Sequence, residues 1–300
     1  MLGAWENARL YLVLLIGVVT VSFAAIFIRL ADAPPLVIAS YRLGLAALIL
    51  APVGLLRRWP ELRGLDRNDL LWAVLSGVFL TLHFVFWIAS LEYTTVASSV
   101  VFVATNPLFA GVAAHLLRQD RLSPVGFAGI VLAVLGGMII GWGDIAVGGP
   151  ALWGDFLALL GAAMAAGYFM AGRRLRPKVS LLAYVSVVYS IGAMGALLVS
   201  ALTKQTMTGY STGTYAMLLM LAIGPQIIGH SSLNWALRHL SASAVGVATL
   251  GEPVGSTILA YLVLEELPTL LKMGGAVLIL AGIYFSLRES GRVRRLVVGD

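Results

Sequence analysis

The sequence predicts an all-α integral membrane protein with ten transmembrane helices, arranged as two inverted five-helix repeats. Of its 300 residues, 60% are hydrophobic and only 11% are charged, so the chain has too little polar surface to cover a soluble globule. Apolar windows of about 20 residues, each long enough to cross a bilayer, recur along the whole chain. A weak internal similarity at an offset of 146 residues is the third observation behind this prediction.

The predicted spans are separated by glycine, proline or charged residues. The first span resembles a signal peptide, but its apolar run is too long, and Arg29 lies between it and the cleavage-like Ala31–Ala33. It is therefore interpreted as the first transmembrane helix. The ten predicted spans cover residues 10–30, 36–56, 70–91, 95–117, 124–143, 152–172, 180–202, 213–236, 242–263 and 268–287.

Lysine and arginine are distributed unequally between the two ends of these spans. The side of the membrane that carries the two termini holds sixteen of these residues, and the other side holds only Arg29, Lys204 and Lys272. Arg42 lies within the second span. By the positive-inside rule, both termini are predicted to be cytoplasmic, as an even number of spans requires. The sixteen basic residues on the terminal side are Arg9, Arg57, Arg58, Arg63, Arg67, Arg118, Arg121, Arg173, Arg174, Arg176, Lys178, Arg238, Arg288, Arg292, Arg294 and Arg295.

The offset of 146 residues divides the chain into two predicted units, residues 1–147 and 148–300. A unit of five spans is odd-numbered, so its second copy must cross the membrane in the opposite direction. The loop charges agree, because a cluster of arginines follows the second span whereas only Lys204 follows the seventh. The offset pairs Leu91 with Leu237, Pro107 with Pro253, Ala114 with Ala260, Asp120 with Glu266, Gly129 with Gly275, and Gly136 with Gly282.

Each unit carries a proline inside its fourth span, preceded by a polar residue. These pairs are Asn106-Pro107 and Glu252-Pro253. A buried carboxylate and a missing backbone N–H are tolerated in a membrane where the helix faces the interior of a bundle. Pro107 and Pro253 are therefore predicted to interrupt their helices and act as hinges. An alternative is that Glu252 is protonated, or satisfied by a neighbouring helix, and serves only packing.

Polar side chains are concentrated in the third and eighth spans. His83 and Trp87 are four residues apart, as are Gln226 and His230, and Asn234 follows four residues later. Each set shares one helix face, which predicts a central cavity that binds substrate. The alternative is that these groups bond to one another across helices as packing devices. Arg42 is expected to be a structural residue whose side chain snorkels toward the interface, and a role in substrate binding is the alternative. The predicted cavity residues are His83, Trp87, Asn106, Gln226, His230, Asn234 and Glu252.

The chain has ten predicted spans in two inverted units, and the fourth span of each unit carries a proline that is followed by an acidic residue (Asp120, Glu266). This arrangement resembles the EamA-type drug/metabolite transporter superfamily. The polar third and eighth spans are most similar to bacterial aromatic amino-acid exporters. The resemblance implies a secondary transporter that exports aromatic and other neutral amino acids across the inner membrane by alternating access. A cation-coupled efflux carrier for lipophilic drugs is the alternative.

Enzyme signals are weak in this chain. The Gly141–Asp144 sequence matches the G-x-G-D of intramembrane aspartyl proteases, whose chemistry needs two aspartates that share a proton. Asp144 lies at the outer boundary of the fifth predicted span, and Asp155 is the one aspartate inside a predicted span, so no such pair is predicted within the membrane. Ser231 and His230 are adjacent on a helix and cannot face each other. No cysteine and no phosphate-binding loop occur, so no cofactor, metal or catalytic residue is predicted. The expected partners are amino acids and the lipid bilayer, without nucleic acid, and a monomer is the simplest assembly.

Overall fold

The computed structural model describes residues 4–116, 123–147, 149–239, 245 and 248–297. Within these ranges the chain is helical, and no strand is present. Arg118, Asp120 and Arg121, which entered the charge and repeat predictions, lie outside the described residues. So does part of the predicted ninth span, which starts at residue 242.

Thirteen α-helices and one π-helical segment make up the described part of the chain. They are α1 (Ala4–Ser22), α2 (Ala24–Leu30), α3 (Pro35–Arg63), α4 (Arg67–Ser90), α5 (Val96–Val103), α6 (Asn106–Leu116), α7 (Pro124–Val147), α8 (Gly149–Leu175), α9 (Leu181–Leu202), α10 (Thr212–Leu221), the π segment (Ala222–His230), α11 (Ser231–His239), α12 (Gly251–Leu264) and α13 (Leu270–Val297).

Eight apolar helical stretches in the described chain are long enough to cross a membrane. Two shorter apolar helices, Gly251–Leu264 and Leu270–Ser286, occupy the positions of the ninth and tenth predicted spans. The all-helical membrane architecture is therefore confirmed, and the total of ten spans stays a prediction.

Side-chain caps set the starts of several membrane helices. The Asp66 carboxylate accepts a hydrogen bond from the Asp69 N–H at 2.7 Å and begins α4. Ser180 and Ser211 accept bonds from the N–H groups three residues later and begin α9 and α10. The first turn of a helix leaves backbone N–H groups without an acceptor, and an unpaired N–H is costly in a medium without water. Each cap supplies an acceptor for one of these groups.

The helices that position the functional site are packed around α4 and α9. Helix α4 packs against α8 and α9, and α3 packs along α9. Helix α1 lies against the π segment and α11, so the polar faces predicted from the third and eighth spans are enclosed by neighbouring helices. Helices α7 and α13 pair with each other.

Glycines bring the backbones of α7 and α13 into close contact. A methyl group added to Gly129 would lie 2.6 Å from the carbonyl oxygen of Gly282, and one added to Gly136 would lie 2.6 Å from that of Gly275. Small residues at such crossings let helices gain van der Waals contact in lipid, where no hydrophobic force drives helices together.

This packing predicts a clear effect of one added methyl group. In Gly282→Ala the new Cβ would clash with the Gly129 carbonyl oxygen and would lie 2.7 Å from the Ala133 backbone nitrogen. Backbone atoms cannot rotate away, so we expect a loss of stability of about 1–3 kcal/mol. The matched control is Gly274→Ala on the same helix, which has open space around it. Equal melting temperatures of the two variants in detergent would contradict this prediction.

Candidate functional site

Five of the predicted cavity residues lie buried together in the middle of the bundle. His83 and Trp87 come from α4, Gln226 and His230 from the π segment, and Asn234 from α11. The rings of His83 and Trp87 stack with an interplanar angle of 7° and centroids 5.9 Å apart. The rings of His83 and His230 are 6.4 Å apart, so the two polar helix faces meet. With Arg42, described next, these residues are called the central cluster.

Arg42 does not snorkel to the interface, and that expectation is wrong. Its side chain is fully buried, with the guanidinium carbon 3.9 Å from the centre of the Phe84 ring and 5.5 Å from that of Trp87. Its Nε donates to the Gln226 Oε1 at 2.9 Å. Aromatic faces attract a desolvated guanidinium, which explains how this charge is held inside the bundle. An arginine within a predicted span was the sequence signal that pointed here.

The backbone that carries Gln226 and His230 is a π helix, which the sequence analysis did not predict. Its nine residues include Pro225, which has no N–H to donate. The Gly224-Pro225 pair was the available signal, because both residues weaken an α-helical ladder. π-Helical turns are frequent at functional sites, and here the segment brings Gln226 toward α3 and His230 toward α4.

Tyrosines that sequence analysis missed surround the cluster. The Tyr189 hydroxyl lies 3.2 Å from the Ser231 hydroxyl and donates to the Gln226 carbonyl at 3.4 Å. The Asn234 Nδ2 donates to the Tyr168 hydroxyl at 2.6 Å. Ser231 therefore pairs with a phenol and not with an imidazole, which gives the serine-hydrolase alternative no geometric support.

Polar atoms of the central cluster are buried without a hydrogen-bond partner among the described residues. A buried donor or acceptor left unpaired costs about 1–3 kcal/mol, so several at one place indicate a ligand site. Both donors and acceptors are represented, beside the rings of Phe84 and Trp87. These atoms are Arg42 Nη1 and Nη2, Trp87 Nε1, Gln226 Nε2, His230 Nδ1 and Asn234 Oδ1.

The helix interruptions predicted from the two prolines are present, but the prolines are not mid-helix. A turn at Ala104–Thr105 separates α5 from α6, and a turn at Leu250 precedes α12. Pro107 and Pro253 lie in the first turn of the second half-helix in each case. The first turn has no intrahelical acceptor for its N–H groups, so proline is tolerated there.

Asn106 and Glu252 differ in their relation to the central cluster. The Asn106 Nδ2 donates to the Val103 carbonyl at 3.2 Å, which satisfies the end of α5 and gives Asn106 a local partner. Glu252 is half-buried, and its carboxylate lies within electrostatic range of Arg42. The structure therefore brings Glu252 toward the cluster and places Asn106 at the helix break.

A vestibule of about 900 Å³ lies at one end of the bundle. Ile38, Ile88 and Leu91 form its inner wall, and Ile38 is one helical turn from Arg42. Desolvation raises the pKa of the Glu92 carboxyl, which also lines the vestibule. Leu91 likewise lies four residues from Trp87, so the lining of the vestibule adjoins the central cluster.

Polar contacts tie the helices together at the opposite end. Lys178 forms an ion pair with Asp69, and the Glu61 carboxylate accepts from the Ser180 N–H at 2.8 Å. Buried Arg176 donates to the Asn234 carbonyl at 3.1 Å and to the Val179 carbonyl at 2.7 Å. These contacts join α3 and α4 to the segment between α8 and α9.

Broken helices around a buried polar cluster are typical of membrane transporters, and the family match places the chain in this class. The profile of the EamA-like transporter family matches residues 8–142 and again residues 152–288. The chain therefore belongs to the EamA-like transporter family of the drug/metabolite transporter superfamily.

Its relatives are transporters whose substrates their names do not state. The chain is 26% identical over 288 residues to an uncharacterized transporter of Archaeoglobus fulgidus, covering 93% of this chain and 98% of the relative. It is 24% identical to the uncharacterized transporter YdfC of Bacillus subtilis, covering 95% and 92%. A solved structure titled "Crystal structure of protein" matches with a TM-score of 0.67 and 19% identity, over 95% of this chain and 99% of that one.

Proposed function

We propose that this transporter exports amino acids, aromatic and other neutral ones, across the bacterial inner membrane. The observation that carries the proposal is the set of unpartnered donors and acceptors on the central cluster, beside aromatic rings. A zwitterion with an aromatic side chain matches this lining, because its carboxylate needs donors, its ammonium needs acceptors and its ring needs an apolar wall. The protein has no catalytic role in this proposal, and a monomer is sufficient.

The proposal includes two inverted five-helix repeats, residues 1–147 and 148–300, with both termini cytoplasmic. The glycine contacts between α7 and α13 support it. The offset of 146 residues converts the Gly129–Gly282 contact into the Gly275–Gly136 contact, as a two-fold axis would. Helices α3 and α9 behave alike, since the same offset relates the Ser40–Ser200 hydrogen bond to the close approach of Gly54 and Ser186.

Alternating access around the central cluster is the proposed mechanism. In this mechanism one pathway has two gates. One lies at the Arg29 end beside the vestibule, and the other lies at the Asp69 end, where polar contacts join the helices. In an inverted repeat each half supplies equivalent elements to opposite gates, so one closes while the other opens around a fixed site. The half-helices that begin at Asn106 and Gly251 are the proposed moving parts.

Export of lipophilic cationic drugs is the less favoured alternative. The buried guanidinium of Arg42 would repel a cation that entered the cluster, in a medium where charge interactions are strong. An amino acid instead brings a carboxylate of opposite charge to Arg42.

Radiolabelled counterflow in proteoliposomes tests the proposed function. Vesicles preloaded with unlabelled phenylalanine should accumulate external labelled phenylalanine transiently, and empty vesicles should not. The matched competitor is a quaternary aromatic cation without a carboxylate, which should leave the uptake unchanged. Uptake of the cation with no amino-acid counterflow would favour the drug carrier, and repeating the assay with a pH gradient reports proton coupling.

A further inference from the structure

We propose that Arg42, with Gln226 and Trp87, forms a binding site for a single carboxylate group, carried by a zwitterionic amino acid or by an organic monoanion. The inference rests on the proposed function of the central cluster as the transport site and names the chemistry that this site recognises. Arg42 is a substrate-binding residue in this proposal, and not a packing element.

The buried side chain of Arg42 carries a positive charge. Arginine stays protonated in proteins, and Arg42 is fully buried inside the bundle. Within the described part of the chain, no acidic side chain forms an ion pair with Arg42, and Glu252 acts on it only at longer range. A buried charge without a direct partner is strongly unfavourable, so a bound anion stabilises this arrangement.

Protein groups contact only part of the Arg42 guanidinium, and its terminal nitrogens remain for a ligand. Phe84 covers one face of the guanidinium, and Gln226 accepts the hydrogen bond from Nε. The edge that carries Nη1 and Nη2 has no partner among the described residues. Two parallel N–H groups on one edge are the donors that bind a carboxylate in a bidentate manner.

Neighbouring donors extend this edge. Arginine has no acceptor, so the bond from Arg42 requires Gln226 to present its oxygen, which leaves the Gln226 Nε2 as a donor. That Nε2 and the Trp87 Nε1 are both buried and unpartnered within the described chain. The site therefore offers N–H groups from three side chains and takes a group that only accepts.

A second buried arginine shows how a structural guanidinium behaves in the same protein. Arg176 is also almost fully buried, but its Nε and Nη1 donate to the backbone carbonyls of Asn234 and Val179. Arg176 ties helices together, whereas the terminal nitrogens of Arg42 have no such role. The contrast assigns ligand binding to Arg42 in particular.

The charge balance also limits the ligand class. Arg42 is the one permanently charged side chain of the central cluster, and Glu252, at longer range from it, is a titratable group that carries no charge when protonated. A single guanidinium neutralises a carboxylate, whereas a phosphate dianion would keep excess charge inside the bundle. The aromatic rings of Phe84 and Trp87 favour a carboxylate attached to an apolar or aromatic body.

Binding of a ligand series to the full-length wild-type protein tests this site without any mutation. The probes are phenylalanine, 3-phenylpropionate, which lacks the ammonium, and phenethylamine, which lacks the carboxylate. The affinity of each probe is measured by its competition with radiolabelled phenylalanine. If phenylalanine does not bind, isothermal titration calorimetry measures the affinity directly. We expect 3-phenylpropionate to bind at least ~100-fold more tightly than phenethylamine, since charge-assisted bidentate bonds to the carboxylate are lost in the amine. Equal affinities for 3-phenylpropionate and phenethylamine would overturn the proposal. So would the absence of binding by both phenylalanine and 3-phenylpropionate.

Variants then assign the preference to Arg42. Arg42→Gln should lower the affinity for 3-phenylpropionate by about 100-fold and abolish the preference for the acid, with Arg42→Lys intermediate because a lysine binds as a point charge. The control is Arg176→Gln, which should keep the wild-type preference for the acid over the amine. If Arg42→Gln elutes as a folded, monodisperse protein and still prefers the acid over the amine, Arg42 does not bind the carboxylate and the assignment is wrong.

The outcomes separate this proposal from the proposed function. If 3-phenylpropionate binds and requires Arg42 while no amino acid shows counterflow, the carboxylate site stands and the amino-acid substrate is wrong. If amino acids show counterflow but the amine binds as tightly as the acid, the transport function stands and the Arg42 site is wrong.

Discussion

Replacing Gln226 by glutamate should abolish carboxylate binding while leaving the protein at least as stable as the wild type. The new carboxylate would accept the hydrogen bond that Arg42 Nε now donates to Gln226 at 2.9 Å. It would also neutralise the buried charge from within, so that a substrate anion no longer finds an unpaired guanidinium. We expect affinity for 3-phenylpropionate to fall at least ~100-fold, about 2.7 kcal/mol or more.

The companion variant Gln226→Leu separates lost binding from lost stability. Leucine removes the acceptor and leaves Arg42 Nε unpaired in the bundle, which costs about 1.5–3 kcal/mol for a hydrogen bond to a charged group. Its melting temperature in detergent should fall, whereas that of Gln226→Glu should not. Counterflow by Gln226→Glu at the wild-type rate would show that the charge on Arg42 is not used for substrate.

Pro107→Ala and Pro253→Ala should each slow transport about tenfold with little change in substrate affinity, because the conformational step limits the rate. Both prolines lie just after a break in the helix, at Ala104–Thr105 and at Leu250. Alanine supplies the missing N–H and favours a helix that continues through the break, which stiffens the proposed hinge. A stiffer hinge biases the protein toward one facing state without altering the binding groups.

Pro52→Ala provides the matched control for these hinge variants. Pro52 lies inside the continuous helix α3, away from both breaks. Counterflow rates and equilibrium affinities should be measured for all three variants. Wild-type rates in both Pro107→Ala and Pro253→Ala would mean that the prolines only mark helix starts.

Several elements could be predicted from the sequence because bilayer physics acts on single segments. A run of about 20 apolar residues reports a membrane helix without any knowledge of its neighbours. The breaks near Pro107 and Pro253 follow from the chemistry of one residue type. The position of the prolines within the half-helices was predicted less well, since the breaks occur at Ala104–Thr105 and at Leu250, before each proline.

The candidate site was partly predictable for a related reason. His83, Trp87, Gln226, His230 and Asn234 are conspicuous because polar side chains in apolar spans are costly. Asn106 met the same criterion, but its side chain bonds to Val103 at the helix break. Polarity therefore indicated which residues matter and did not distinguish a ligand-facing group from a helix cap.

The sequence by itself determined that this chain is a helical membrane protein with paired helix breaks, since those features depend on local composition and backbone chemistry. Only the tertiary structure decided the role of Arg42, whose partner Gln226 lies 184 positions away. The π helix at Ala222–His230 and the packing of α4 against α8 and α9 enclose that guanidinium. Whether an arginine in a span snorkels or is buried depends on which helices cover it, and that is a property of the packed bundle.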